Sequence, residues 1–261
     1  MSGVMESLVE IPGTQLYLRD TGGDGPPLML LHPASGSAMI WEFQEQALRA
    51  SGFRVLAWSR RGYWKSQAYD KANAGVGSQD LLHLADALGL DAFHLVGSAA
   101  GGSIAMDFAL SNPARLRSLI IANNSAGVRE GPIAEAAERI RPAGWAQMPV
   151  EFRELGPSYR AVDPVGAQRW LDLEHASLVG AEYRQKLANG VTEAALAGMQ
   201  VPTLLITGDA DLIAPPSIIR MLAAILPRSE ICIAPEAGHS VYWEQPGFFN
   251  DAVARFARRH G

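Results

Sequence analysis

The chain has 261 residues, 48% hydrophobic and 19% charged, enough apolar material for one α/β domain with an insertion. Its net charge of −5, with Lys and Arg scattered along the chain, speaks against a nucleic-acid groove or an anionic membrane surface as partner. A single cysteine, Cys232, excludes an internal disulfide framework, and its apolar setting EICIAP predicts a buried strand thiol in a reducing cytoplasm. The start, MSGVMESLVEIPG, lacks a basic segment followed by a long apolar run, and no later stretch approaches the ~20 apolar residues of a membrane span. Secretion and membrane insertion are therefore not expected.

In chain order, an antiparallel start is expected over 8–19. LMLL at 28–31 reads as the first of six buried parallel strands and leads through LLHPASGSAMIW into helical spacing over 40–50. FRVLAW at 53–58 is the next strand, followed by the loop WSRRGYWKSQ and a helix over 78–88. FHLV at 93–96 runs into GSAAGG and a helix over 103–110, and LRSLIIA at 116–122 follows. The alternation then breaks: 126–199 shows helical periodicity, prolines at 132, 142, 149, 157 and 164, and no strand. TLLIT at 203–207, a helix over 216–226, EICIA at 230–234 and a helix over 246–258 complete the βαβ series. The expected division is a core of 1–125 and 200–261 and a helical cap of 126–199. Ligands of open α/β sheets bind at the carboxyl ends of the strands, so an insertion at that edge either covers the site or is a purely structural excursion.

The stretch FHLVGSAAGG has the form of a strand-to-helix elbow. Gly97 and Gly101 bracket residue 99, so the turn can tighten until the central side chain stands above the sheet. Ala99 holds that apex. From this stretch alone, an elbow without its hydroxyl and a glycine-rich turn with no catalytic past both remain open.

Further along, TLLITGDADLIAPP and IAPEAGHSVYWEQP stand in the order acid loop, then histidine loop, behind the elbow. On these three motifs, nearly end to end, the chain resembles an α/β-hydrolase-fold protein of the capped, small-molecule kind. The resemblance implies a doubly wound, mostly parallel eight-stranded sheet with an inserted helical cap. It makes Ala99 the nucleophile position, His239 the general base and Asp211 the acid that orients the imidazole, with Asp209 bracing the turn. Asn123 and Asn124 occupy the place after the preceding strand where some relatives carry the acid. The amides of Ala34 and Ala100 would form the oxyanion hole, and His32 would be a structural residue bonding the loop backbone. Ser35, Ser98 and Trp145 would reach the substrate; Ser98, beside the apex, is not placed to replace the nucleophile.

The chain also departs from the family pattern. Pro33 replaces a glycine beside His32, and Ser59 and Trp64 stand where Asp and Gly are usual. Trp64 would pack beneath the cap or line the pocket, as would Tyr159 and Trp170, while Arg153 and Arg160 could meet an anionic substrate group but are expected on the solvated surface. No metal site or dinucleotide fingerprint is present, so no cofactor is expected. The expected partner is a small-molecule substrate, without nucleic acid or membrane, on a monomer or homodimer.

Ala99 admits three readings: a deliberate Ser→Ala change in a hydrolase, a natural binding protein, or an enzyme in which His239 takes a proton from the ligand directly, as in cofactor-independent oxygenases of this fold. Intact acid, base and glycines favour the first, with an ester or lactone of a small organic acid as substrate and C–C bond hydrolysis as a further option. The C-terminal stretch also resembles enol-lactonases of aromatic catabolism.

Overall fold

A computed structural model describes residues 3–67, 74–178 and 185–261. Among them, eight strands form one sheet: β1 (Met5–Ile11), β2 (Thr14–Asp20), β3 (Pro27–Leu31), β4 (Arg54–Trp58), β5 (Phe93–Ser98), β6 (Leu116–Ala122), β7 (Thr203–Gly208) and β8 (Ser229–Ala234). Their order is β1-β2-β4-β3-β5-β6-β7-β8. β1 and β2 run antiparallel to each other, and β2 to β4, while every other pair is parallel, so the sheet is mixed. The start expected over 8–19 is a hairpin, turned at Pro12 and Gly13, the latter with φ of 79°.

The helices are α1 (Glu42–Ala50), α2 (Gly77–Ala87), α3 (Ala100–Ser111), α4 (Gly131–Arg139), α5 (Val150–Glu154), α6 (Pro157–Val162), α7 (Pro164–Ser177), α8 (Glu193–Ala197), α9 (Pro216–Ile225), α10 (Val241–Glu244) and α11 (Pro246–Arg259). Side chains of β6 alternate between the two faces of the sheet. Leu119 and Ile121 join Leu81, Phe108 and Ile219 of α2, α3 and α9, whereas Ile120 and Ala122 join Leu48, Phe249 and Phe256 of α1 and α11. Every position of β5 and β7 is buried, which is why these strands read as unbroken apolar runs rather than alternating ones.

Three details differ from the sequence reading. The helix expected from 103 begins at Ala100, because Gly101 and Gly102, poor helix formers by propensity, lie inside its first turn. The helix expected over 40–50 is a 3₁₀ turn, Ala38–Trp41, followed by α1. Cys232 lies on β8, an outermost strand with a neighbour on one side, and is half-buried rather than buried. Four of the five prolines of the insertion stand at helix starts: Pro132, Pro157 and Pro164 fall in the first turns of α4, α6 and α7, and Pro149 precedes α5. Among the described residues, no helix is long and apolar enough to cross a membrane.

What positions the elbow is a backbone contact. A Cβ on Gly97 would lie 2.5 Å from the Gly101 carbonyl oxygen, and one on Gly101 2.3 Å from that of Leu31. Strand and helix meet with no room for a side chain. Gly97→Ala is therefore expected to lose about 1–3 kcal/mol of stability through overpacking. Urea unfolding, read as a lower midpoint at unchanged slope, checks this.

Candidate active site

The elements converge at the carboxyl ends of β3, β5, β7 and β8, where Ala34, Ala99, Asp211 and His239 follow in turn. Ala99 sits at φ 47° and ψ −119°, a conformation an L-residue adopts at a cost of about 1–3 kcal/mol. Its amide donates to the Ala122 carbonyl at 2.9 Å and its carbonyl accepts from the Gly102 amide at 2.8 Å, so both neighbours hold the apex in place.

Asp211 is the most heavily bonded carboxylate of the site. Oδ1 accepts from the amides of Ile213 and Ala214 at 2.7 and 2.9 Å, and Oδ2 from Asn123 Nδ2 and Thr207 Oγ1 at 2.9 and 3.2 Å. His239 Nδ1 lies 2.9 Å from both oxygens. Donation from Nδ1 fixes the tautomer and leaves Nε2 free to accept a proton. Burial would raise the Asp211 carboxyl, but the His239 charge and these hydrogen bonds bring it down to about 2. Burial likewise pushes the imidazole down, and the charge and hydrogen bond of Asp211, helped by Glu154 and Glu244, outweigh it and hold His239 up at about 9.

Ala34, Ala99, Ala100 and His239 line a single cavity of about 360 Å³, with Glu154 and Arg60 on its walls. A hollow of about 890 Å³ along 127–132 and 185–194 adjoins it, sharing Gly127 and Arg129, but it contains neither Ala99 nor His239. The first cavity is the one with chemistry in it. Among the described residues, no group of three or more His, Cys, Asp or Glu stands together as a metal site would require.

The loop carrying Ala34 is fixed by its neighbours. His32 is fully buried; its Nδ1 donates to the Pro33 carbonyl at 2.7 Å and its Nε2 accepts from the Arg60 amide at 3.0 Å. Burial and the Arg60 charge push this imidazole well below its ordinary value, so it is a neutral brace. Asp209 accepts from the Glu236 amide at 2.7 Å and ties the acid loop to the histidine loop.

Several residues stand elsewhere than the sequence reading placed them. Ser98 is wholly buried with its hydroxyl unpartnered, and Trp145, on a 3₁₀ turn of the insertion, is half-buried; neither lines the cavity. A strand alternates its side chains, so the residue before the apex points into the sheet packing. Ser35 reaches the site through Glu154, donating to its carboxylate at 3.2 Å. Trp64 adopts φ of 41°, which explains why glycine is usual there, and packs against the core together with Tyr159. Trp170 is fully buried in that core. Arg153 and Arg160 are half-buried rather than solvated: Arg160 lies 4.2 Å over the Phe152 ring and donates to the Glu151 and Leu155 carbonyls.

Glu154, Glu244, Asn123 and Arg60 had no assigned role in the sequence. Glu154, the last residue of α5, is open to the cavity and otherwise enclosed, and burial pushes its carboxyl up against the opposing pull of His239 and Ser35. Glu244 accepts from the amides of Gly156 and Gly238 at 2.8 and 2.9 Å and of Ser240 at 3.1 Å, joining the insertion to the histidine loop.

The chain has relatives among known proteins, in sequence and in fold. The sequence pattern of the alpha/beta hydrolase family matches residues 28–252. The chain is 30% identical over 264 residues to a putative carbamate hydrolase, RutD, of Caulobacter sp. (strain K31), covering 92% of this chain and 95% of that one. It is 27% identical over 273 residues to a 2-hydroxy-6-oxononadienedioate/2-hydroxy-6-oxononatrienedioate hydrolase of Paraburkholderia xenovorans (strain LB400), covering 93% and 90%. A thermophilic esterase from Thermogutta terrifontis, solved with malate bound, superimposes with a TM-score of 0.79 at 25% identity over 98% of this chain and 99% of the other. From the third strand to the last helix, in sequence and in fold, the chain belongs to the alpha/beta hydrolase family.

Proposed function

We propose that the site is built for acyl transfer on a small-molecule carboxylic ester or lactone, with Ala99 standing where the attacking hydroxyl belongs. The observation that carries this reading is the backbone of Ala99 at φ 47° and ψ −119°, an apex opening on the cavity that His239 lines. An alanine gains nothing chemical from that strain. A hydroxyl at 99 would attack the substrate carbonyl while His239 Nε2 takes its proton and Asp211 stabilises the imidazolium. The Ala34 and Ala100 amides would receive the oxyanion. The leaving alkoxide would then take the proton from His239, and water would release the acid by the same steps in turn. Residues 126–199 would act as the cap that shapes the pocket, contributing Glu154. The relatives named as a carbamate hydrolase and an esterase support hydrolysis at a carbonyl carbon. With alanine at 99, the chain binds its substrate and does not acylate.

Ala99→Ser is expected to raise kcat on at least one member of a panel of aryl esters and lactones by roughly 10⁴-fold or more, a gain that His239→Ala removes. No acceleration on any member sinks the reading. Turnover by the alanine form itself, lost in His239→Ala, overturns it in favour of direct proton abstraction.

The pH profile of the serine form gives a separate check. His239 must be neutral to accept a proton, and its raised value, about 9, means kcat/KM climbs with pH through a midpoint above the ordinary imidazole value. Asp211→Asn removes the charge that raises it, so the midpoint moves down and kcat falls by about 10⁴. A midpoint unchanged by Asp211→Asn contradicts the assignment of Asp211.

A further inference from the structure

Acyl transfer leaves one buried cation of the cavity without a task. Arg60, in the loop after β4, is 5% exposed and lines the cavity with Ala34 and Ala99. Its Nη2 donates to the Pro33 carbonyl at 3.1 Å, its guanidinium lies 4.4 Å from the centre of the Tyr63 ring, and its enclosed Nε has no partner among the described residues. No carboxylate pairs with it among the described residues. The adjacent Arg61 differs sharply, since it grips Asp80 through two bonds of 2.7 Å.

Glu154, in the same cavity, is bonded to Ser35 instead. Arg129 and Arg141 also border the cavity but are exposed, where water already solvates them. Enclosing an unpaired guanidinium is unfavourable, and burial pushes Arg60 below its ordinary value. A carboxylate entering the cavity would supply the missing charge.

We propose that Arg60 is a specificity residue that binds an ionised carboxylate of the substrate, separate from the carbonyl presented at Ala99, so that the site selects compact hemiesters or lactone acids over neutral esters. Because Arg60 is bonded to the carbonyl of Pro33, the residue before Ala34, the carboxylate sits on the oxyanion-loop side of the cavity. Within a cavity of about 360 Å³ a short carbon chain is enough to join the two groups. The proposal deepens the acyl-transfer reading, and its binding arm stands without it.

In the chain as it is, calorimetry at about pH 10, where His239 is neutral and Arg60 still charged, with glutarate and its neutral counterpart glutaramide is expected to show about tenfold or greater preference for glutarate. Arg60→Gln erases that preference and Arg60→Lys retains part of it. In the Ala99→Ser form, monomethyl glutarate is expected to exceed methyl butyrate in kcat/KM by a similar factor, carried by KM, and Arg60→Gln brings the ratio to about one. Glutarate binding no tighter than glutaramide overturns the proposal, as does a preference that survives Arg60→Gln in a protein whose thermal melt shows it folded. Should Arg60→Gln fail to fold, the glutarate and glutaramide pair with Arg60→Lys decides. An Ala99→Ser form inactive on every ester, with Arg60-dependent glutarate binding intact, overturns acyl transfer and supports the carboxylate site. Hydrolysis of both esters without preference does the reverse.

Discussion

Gly101 presses the backbone of α3 against the end of β3, so closely that a Cβ would stand 2.3 Å from the Leu31 carbonyl oxygen and 2.7 Å from that of His32. Through this contact the turn from β5 into α3 is confined, and the apex at residue 99 is forced upward off the sheet. It also brings the loop after His32 beside the first turn of α3, which is why Ala34 and Ala100, so distant in sequence, border the same cavity. Strain at Ala99 is a consequence of this packing rather than a local choice.

Above that contact, charge does the arranging. Asp211 is fixed by amides and by Asn123 before the imidazole arrives, so the pair needs little reorganisation when His239 becomes cationic. Glu154 and Glu244 add to the negative potential around His239, while Arg60 stands in the wall of the same cavity as Glu154 with no carboxylate paired to it among the described residues. The cavity wall therefore carries charge of both signs, Glu154 tied to Ser35 and Arg60 tied to Pro33 of the same loop.

How much of this was legible depends on the range of the interaction. The strands, the elbow and the acid and histidine loops are local patterns, and each stands where its motif implied. The prolines of the insertion read only as a break in the alternation, although a fixed φ and a missing N–H suit the first turns that three of them occupy. Asn123 was noted only as the wrong residue for an acid; that its amide supports Asp211, 88 positions later, is a tertiary fact. Arg60 and Arg61 look alike in WSRRGYW, and what separates them is that Asp80 reaches one and not the other. Glu154 was one charge among many on a short helix, and Trp145 an aromatic of the kind that attracts attention; only folding shows which of the two meets the cavity. Trp64 shows the converse, a local rule broken and offset by packing against the core.

Glu244 binds amides from Gly156 of the insertion and from Gly238 and Ser240 of the histidine loop with one carboxylate. Gly156 and Gly238 meet there backbone to backbone, a Cβ on Gly238 falling 2.4 Å from the Gly156 nitrogen. Such a rivet removes a degree of freedom. Through it the start of α6 and the histidine loop share one anchor, so a displacement of either is felt by the other. The wider hollow meets the cavity at other residues, among them Gly127 and Arg129 just before α4, which take no part in this anchor.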